Sequence, residues 1–328
     1  MSKKWTASDI LSLKGQRVLI TGANSGIGYH AALKLARKGA SVMLACRDQQ
    51  RGKAALDRLQ ADSGGVDTEL VLLDLASLAS VHEFAARELA QHRPLHLLIN
   101  NAGVMAPAKR LETADGFEVQ FGTNVLGHFA LTALLMPALQ LAADESPSNR
   151  PRIVTIASIA HKRGQLNFDD LQSTRRYSPM KAYQQSKLAD LMVALELDRR
   201  LRAANSPIMS VAAHPGVANT NLFQTGNYST FEKTVRSAVG HAIGLLLNTD
   251  SEGALPTLYA ATAPNVEGGD YYGPQGFQEM RGEEIGRAQV AKQAKDAAAS
   301  ARLWQICEDL TEVRFQAHSQ QLQSMHTK

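Results

Sequence analysis

Arg17-Val-Leu-Ile-Thr21, an apolar run of strand type, leads directly into Gly22-Ala-Asn24-Ser25-Gly26-Ile27-Gly28 and then into a helix-period stretch to Lys38, with Ile27, Ala31 and Leu35 on one stripe. Strand, glycine turn and helix in that order bring a helix N-terminus to the C-terminal end of a strand. The glycines let the chain turn tightly and let a pyrophosphate approach the backbone. The helix end offers unpaired N–H donors and the positive end of its dipole. The spacing is G-x-x-x-G-x-G, not the common dinucleotide fingerprint, and the Lys-Ser/Thr of an ATP-binding loop is missing. Alone, such a turn is equally compatible with plain packing of helix on strand.

The same alternation continues outward. Strands are predicted at 41–45, 69–73, 95–99, 152–157 and 208–213, with helices capped by Asp48 and running to about 61, then at 77–91, 119–143 and 179–204. Strands separated by helices imply right-handed crossovers, hence a single α/β domain: a doubly wound parallel sheet with helices on both faces. No linker rich in Pro, Gly or Ser interrupts the rhythm at mid-chain, and there is no repeat. The expected organisation is an N-terminal extension at 1–13, one domain at 14–280 and a C-terminal helical extension at 281–328, whose Leu303, Trp304, Ile306 and Leu310 form a docking stripe.

Composition excludes several classes. In 328 residues, 44% are hydrophobic, which is ample for a buried core. Lys and Arg number 35 against 31 Asp and Glu, an interspersed net charge of +4 without the basic stripe of a nucleic-acid binder. Two cysteines, Cys46 and Cys307, make neither a disulfide framework nor a metal site, so no metal is expected and a reducing, cytoplasmic setting is. Residues 1–16 hold no apolar run of signal-sequence length. Val119 to Ala143 is 25 residues without a charge, long enough to span a bilayer. It also holds Gln120, Thr123, Asn124, His128, Thr132 and Gln140, each needing a partner inside lipid, so a buried helix rather than a membrane span is expected.

The second strand ends Leu44-Ala-Cys-Arg47-Asp48, with no acid before Arg47. A carboxylate there would suit the adenosine 2′-hydroxyl of NAD(H); a guanidinium suits the 2′-phosphate of NADP(H). NADP(H) is therefore expected, with NAD(H) possible and a plain surface arginine the alternative. Tyr183-Gln-Gln-Ser-Lys187 falls inside a predicted helix, where four residues of separation put phenol and ammonium on one face. A phenol ordinarily titrates near ~10, and a neighbouring ammonium favours its anion. Ile153-Val-Thr-Ile-Ala157-Ser158 is a strand delivering a hydroxyl to the edge that carries the glycine turn. The rival reading of Ser158 as a hydrolase nucleophile with His161 lacks a Gly-x-Ser-x-Gly elbow.

Together, the glycine turn, Ser158 and the Tyr183/Lys187 pair resemble the short-chain dehydrogenase/reductase superfamily, over about residues 14–276. Supporting segments are Asn100-Asn101-Ala102-Gly103, Asn124, and Pro215-Gly216 followed by Thr220. Within it the chain is most similar to the retinol dehydrogenase and WW-domain oxidoreductase group, through Leu44 to Asp48, Gly122 to Phe129, Tyr183 to Ala189 and His214-Pro-Gly216. Neither an N-terminal anchor nor a WW domain is expected. The resemblance implies a Rossmann-type fold and these roles. Tyr183 exchanges the proton with the substrate oxygen, Lys187 holds the nicotinamide ribose and favours the phenolate, Ser158 polarises the substrate oxygen, and Asn124 positions a relay water. Gly22, Asn24, Ser25, Gly26, Ile27 and Gly28 line the pyrophosphate. Asp74 and Leu75 meet the adenine, while Asn101, Ala102 and Gly103 lie along the ribose. Pro215, Gly216, Val217 and Thr220 hold the nicotinamide end.

Asp74 as a helix N-cap and the asparagines as strand-end hydrogen-bonders are the plain alternatives. Ala157 replaces a serine often found there, and Asp190 stands where relatives commonly carry Asn, which bears on helix packing and on the field of Lys187. Residues 221–248 fall where the family has its substrate lid. With Leu222, Phe223 and Phe231 they suit a hydrophobic alcohol, aldehyde or ketone, or else pack on the body. The expected protein is an oxidoreductase assembled as a homodimer or homotetramer through the outer face of the uncharged helix. The alternative is a nucleotide-binding regulatory or scaffold protein of the same fold.

Overall fold

The computed structural model describes residues 4–145, 150–217 and 248–317. Its sheet has eight strands: β1 (Arg17–Thr21), β2 (Ser41–Cys46), β3 (Thr68–Leu72), β4 (Leu97–Asn100), β5 (Arg152–Ile156), β6 (Met209–Ala213), β7 (Tyr271–Pro274) and β8 (Ile285–Arg287). Their order is β3-β2-β1-β4-β5-β6-β7-β8, parallel as far as β7 and antiparallel at β8. The order runs one way from β1 to β3 and the other way from β4. The crevice therefore opens beyond the C-terminal ends of β1 and β4, at the switch point where open α/β sheets bind ligands.

The strand period of two sorts side chains to opposite faces. From β1, Leu19 goes to one core with Met43, Leu98 and Ile153, while Val18 and Ile20 go to the other with Val42, Leu44 and Ile99. Helices α1 (Gly26–Ala36), α2 (Gln49–Ser63), α3 (Leu78–Leu89), α4 (Gly127–Glu145) and α5 (Pro179–Ala203) follow the expected positions. Ser77 and Asp48 cap α3 and α2 through side-chain bonds to Ser80 N–H and Arg51 N–H. The later helices are α6 (Asp250–Gly253), α7 (Leu255–Thr262) and α8 (Ala297–Thr311).

Two features differ from expectation, the opening of the uncharged helix and a strand within the C-terminal region. The uncharged helix opens with a π-helical turn, Phe121–Leu126, in which Gly127 N–H reaches back to Gly122 O. A Cβ on Gly127 would collide with Leu75 O, so the helix is pressed against the chain just beyond the end of β3. This helix is long and apolar enough to cross a bilayer, yet 78% of its most apolar window is buried within the fold. Part of its outer face, expected to receive a second subunit, packs on α8 of the same chain through Phe129. Trp304 stacks edge-on against Phe129 at 4.9 Å and against Phe315 at 5.3 Å, with the Arg200 guanidinium 4.6 Å from its ring. The region from 281 is not purely helical, because Ile285–Arg287 extends the sheet as β8 before α8 begins. Thr220 and the lid at 221–247 lie outside the described residues.

Candidate active site

The glycine turn takes up the backbone conformations its sequence calls for. Gly22 and Gly26 have φ of 65° and 58°, in the left-handed region. A Cβ on Gly28 would lie 2.5 Å from Asn101 Nδ2 and 2.6 Å from Gly22 O, so only glycine leaves α1 this close to the turn. Asn101 ties the two sides together: its Nδ2 donates to Thr21 O at 2.8 Å and its backbone N–H to Thr21 Oγ1 at 2.9 Å. This cradle at the N-terminus of α1 fits a dinucleotide pyrophosphate, with Asn24, Ser25 and Ile27 in the same turn.

At the end of β2, Arg47 is exposed. Asp48 is committed elsewhere, its Oδ1 accepting from Arg51 N–H at 2.9 Å and its Oδ2 from Arg51 Nε at 3.0 Å. Asp74 is not the cap of α3, which is Ser77: its Oδ1 accepts from Ala76 N–H at 3.0 Å in the turn before the helix, and Leu75 beside it is buried. Gly103 approaches Asn124 and Lys187 so closely that a Cβ there would sit 3.4 Å from Asn124 Oδ1 and 3.7 Å from Lys187 Nζ. Ala102 N–H, like that of Asn101, donates to Thr21 Oγ1. Pro215, Gly216 and Val217 follow β6: Pro215 O accepts from Asn248 Nδ2 at 3.1 Å, Gly216 has φ of 73°, and Val217 N–H donates to Met280 O at 2.7 Å.

α5 carries Tyr183 and Lys187, both buried, and crosses the end of β5 that carries Ser158. Lys187 Nζ donates to Ile156 O at 2.9 Å and to Asp190 Oδ2 at 2.8 Å. Ser158 Oγ accepts from Ala160 N–H at 3.2 Å, capping the turn Ile159–Arg163. His161 does not serve that hydroxyl. Its Nε2 accepts from Ala291 N–H at 3.3 Å, and its Nδ1 faces Ser158 O, a carbonyl, at 2.7 Å. The nucleophile–base hydrogen bond of a hydrolase is thus missing between these two residues.

Asn124 is more constrained than the relay role expected of it implies. Its Oδ1 accepts from Val104 N–H at 2.8 Å, and its Nδ2 donates to Val104 O at 3.0 Å and Ser186 Oγ at 2.9 Å. Its backbone carbonyl receives His128 Nδ1 at 2.8 Å.

Sequence reasoning did not single out His128, Tyr271, His214, Glu279 or Ser186 as part of the site. Burial draws the His128 pKa down to about 4, outweighing the Asn124 carbonyl, so the ring is neutral near pH 7. Beside His161, the Tyr271 and His214 rings lie tilted to each other at 5.2 Å between centroids, and Glu279 accepts from Lys162 Nζ at 2.8 Å. Burial raises the Tyr271 phenol well above its ordinary range. The motif His214-Pro-Gly216 was the available signal for part of this group, but Tyr271 and Glu279 come from a segment with no catalytic pattern.

The fold and this edge of the sheet define a class, the NAD(P)-dependent oxidoreductases. A family profile described as short chain dehydrogenase matches residues 16–229, and the chain belongs to that family. It is 40% identical over 290 residues to a mouse polyprenol dehydrogenase, covering 88% of this chain and 82% of that protein. Human retinol dehydrogenase 13 is 39% identical over 298 residues, covering 89% and 83%. Among solved structures, an uncharacterized protein from Mycobacterium paratuberculosis superposes with a TM-score of 0.77 at 39% identity, covering 96% of this chain and 100% of the other.

Proposed function

We propose that this protein is an NADP(H)-dependent dehydrogenase/reductase that interconverts a hydrophobic alcohol and its aldehyde or ketone, with Tyr183 as acid and base. The observation that carries the reading is the approach of Gly103, Lys187 and the end of β5 to one another at the mouth of the glycine cradle. The nicotinamide, when bound, supplies or accepts the hydride. In reduction the Tyr183 hydroxyl gives its proton to the substrate oxygen, and Ser158 Oγ–H donates a second hydrogen bond to it. Charge developing on that oxygen then meets two donors held by helix and strand rather than by water. Lys187, one turn from Tyr183 on the same face of α5, would hold the nicotinamide ribose.

Exposed Arg47, with Asp48 engaged by Arg51, supports NADP(H). Retinol and polyprenol are long apolar alcohols, and their name-bearing relatives support a substrate of that kind. Met180, 44% exposed and three residues before Tyr183, supplies an apolar surface in keeping with it. We also assign the protein to a reducing compartment, in keeping with its two buried free thiols.

The test is NADPH consumption against a panel of isoprenoid, steroid and short-chain carbonyls, with NADH in parallel and Tyr183→Phe as control. Turnover should favour apolar carbonyls and fall by about 10²-fold or more in the variant. Unchanged turnover in Tyr183→Phe removes the catalytic assignment.

A further inference from the structure

One departure from the family pattern sits inside the acid–base centre. Asp190 is 4% exposed and Lys187 5%, and they form a hydrogen-bonded ion pair at 2.8 Å. Their spacing of three places them on one face of α5, and the second bond of Nζ, to Ile156 O, fastens the pair to the end of β5. Among the described residues no other carboxylate is ion-paired with this lysine. The groups facing the pair are Tyr183 from α5, His128 from α4 and the Cys307 thiol from α8, with Glu308 beyond that thiol. His128 is neutral near pH 7, and burial keeps Cys307 a thiol.

Burial alone turns a lysine toward its neutral amine. Here burial is the largest single influence and acts in that direction, but the charge and hydrogen bond of Asp190, together with Tyr183, outweigh it, and the Lys187 pKa is raised. Burial lifts Asp190 itself to about 6 against the pull of Lys187, so above that pH it is an anion. Behind the pair is a cavity of about 20 Å³, the size of one water, lined by Asn100, Asn124, His128, Thr155, Asp190 and Trp304. Asn100 Oδ1, buried at this cavity, has no hydrogen-bond partner in the fold.

We propose that Asp190 is a positioning residue: the counter-ion that keeps Lys187 charged and in place although the fold buries it. The catalytic consequence rests on the function proposed above, but the principal test does not. That test is the affinity for NADPH, followed by fluorescence titration across neutral and alkaline pH, in the full chain and in Asp190→Asn.

In the Asn variant the lysine loses its counter-ion but stays buried. The alkaline midpoint at which NADPH affinity falls should move down by at least about one pH unit. Affinity at mildly acid pH should stay within about twofold of the parent, since the ammonium is present in both. The alkaline limb of kcat/KM for carbonyl reduction should move the same way. Coincident midpoints, or an equal weakening at every pH, would overturn the proposal, the latter being the mark of a merely structural side chain. Should the Asn variant not fold, Asp190→Glu retains the charge and its midpoint should stay within about half a unit of the parent. A shift as large as that sought for Asn would overturn the proposal. If the parent turns over no carbonyl, the proposed function fails, while the binding curves still decide the role of Asp190.

Discussion

Thr21 Oγ1 lies 2.8 Å from His128 Nε2, which joins the end of β1 to the helix that carries Asn124. A carbonyl only accepts, so His128 Nδ1 donates to Asn124 O and Nε2 accepts the Thr21 hydroxyl. Thr21 Oγ1 in turn accepts from Asn101 N–H and Ala102 N–H, both at 2.9 Å. One neutral imidazole therefore couples the glycine turn, the end of β4 and the π-helical turn.

That neutrality sets an acid limit. An unfolded histidine takes up its proton near 6.5 and this folded one only near 4, so the unfolded chain gains protons first as pH falls. His128 thus contributes a loss of roughly 3 kcal/mol of stability between those two values. Denaturant unfolding of His128→Gln should show a flatter dependence on pH over that window. An unchanged slope would place the acid sensitivity elsewhere.

Arg47→Ala should weaken NADPH by about tenfold or more and leave NADH within about twofold, since a charge-assisted bond to phosphate is worth roughly 1.5–3 kcal/mol. Equilibrium titration with each nucleotide measures it. Equal effects on both would rule out recognition of the 2′-phosphate by this arginine.

Gly28→Ala brings a Cβ against Gly22 O, a backbone atom that moves only with the whole turn. Affinity for either nucleotide should fall by about tenfold or more while the folded structure persists by circular dichroism. Retained affinity would show that the turn does not hold the pyrophosphate.

Trp304→Ala removes the ring on which Phe129, Phe315 and Arg200 converge. The expected loss is about 3–5 kcal/mol in urea unfolding. A loss below about 1 kcal/mol would mean that α8 contributes little to the body.

Much of the fold was legible because its signals are local. β1 reads as Arg17–Thr21 from its apolar run, and Asp48 and Ser77 announce α2 and α3 by capping chemistry. β7 was not anticipated: Tyr271-Tyr-Gly-Pro274 is short and ends in two turn-forming residues, and only the exposed edge of β6 makes it a strand. β8 depends likewise on β7. The apolar character of α4 is local, whereas the helix that packs on its Phe129 lies more than 150 residues further along.

By itself the sequence determined the class: a glycine turn after a strand, a hydroxyl at a later strand end, and a phenol and ammonium one helical turn apart, all of them short-range patterns. Tertiary structure decided the partners. It turned His161 away from the Ser158 hydroxyl, brought His128 against Thr21, and buried the Lys187–Asp190 pair that spacing on α5 allows. Hydrogen-bond partners and burial depend on which distant segments pack together, and no local pattern specifies that packing.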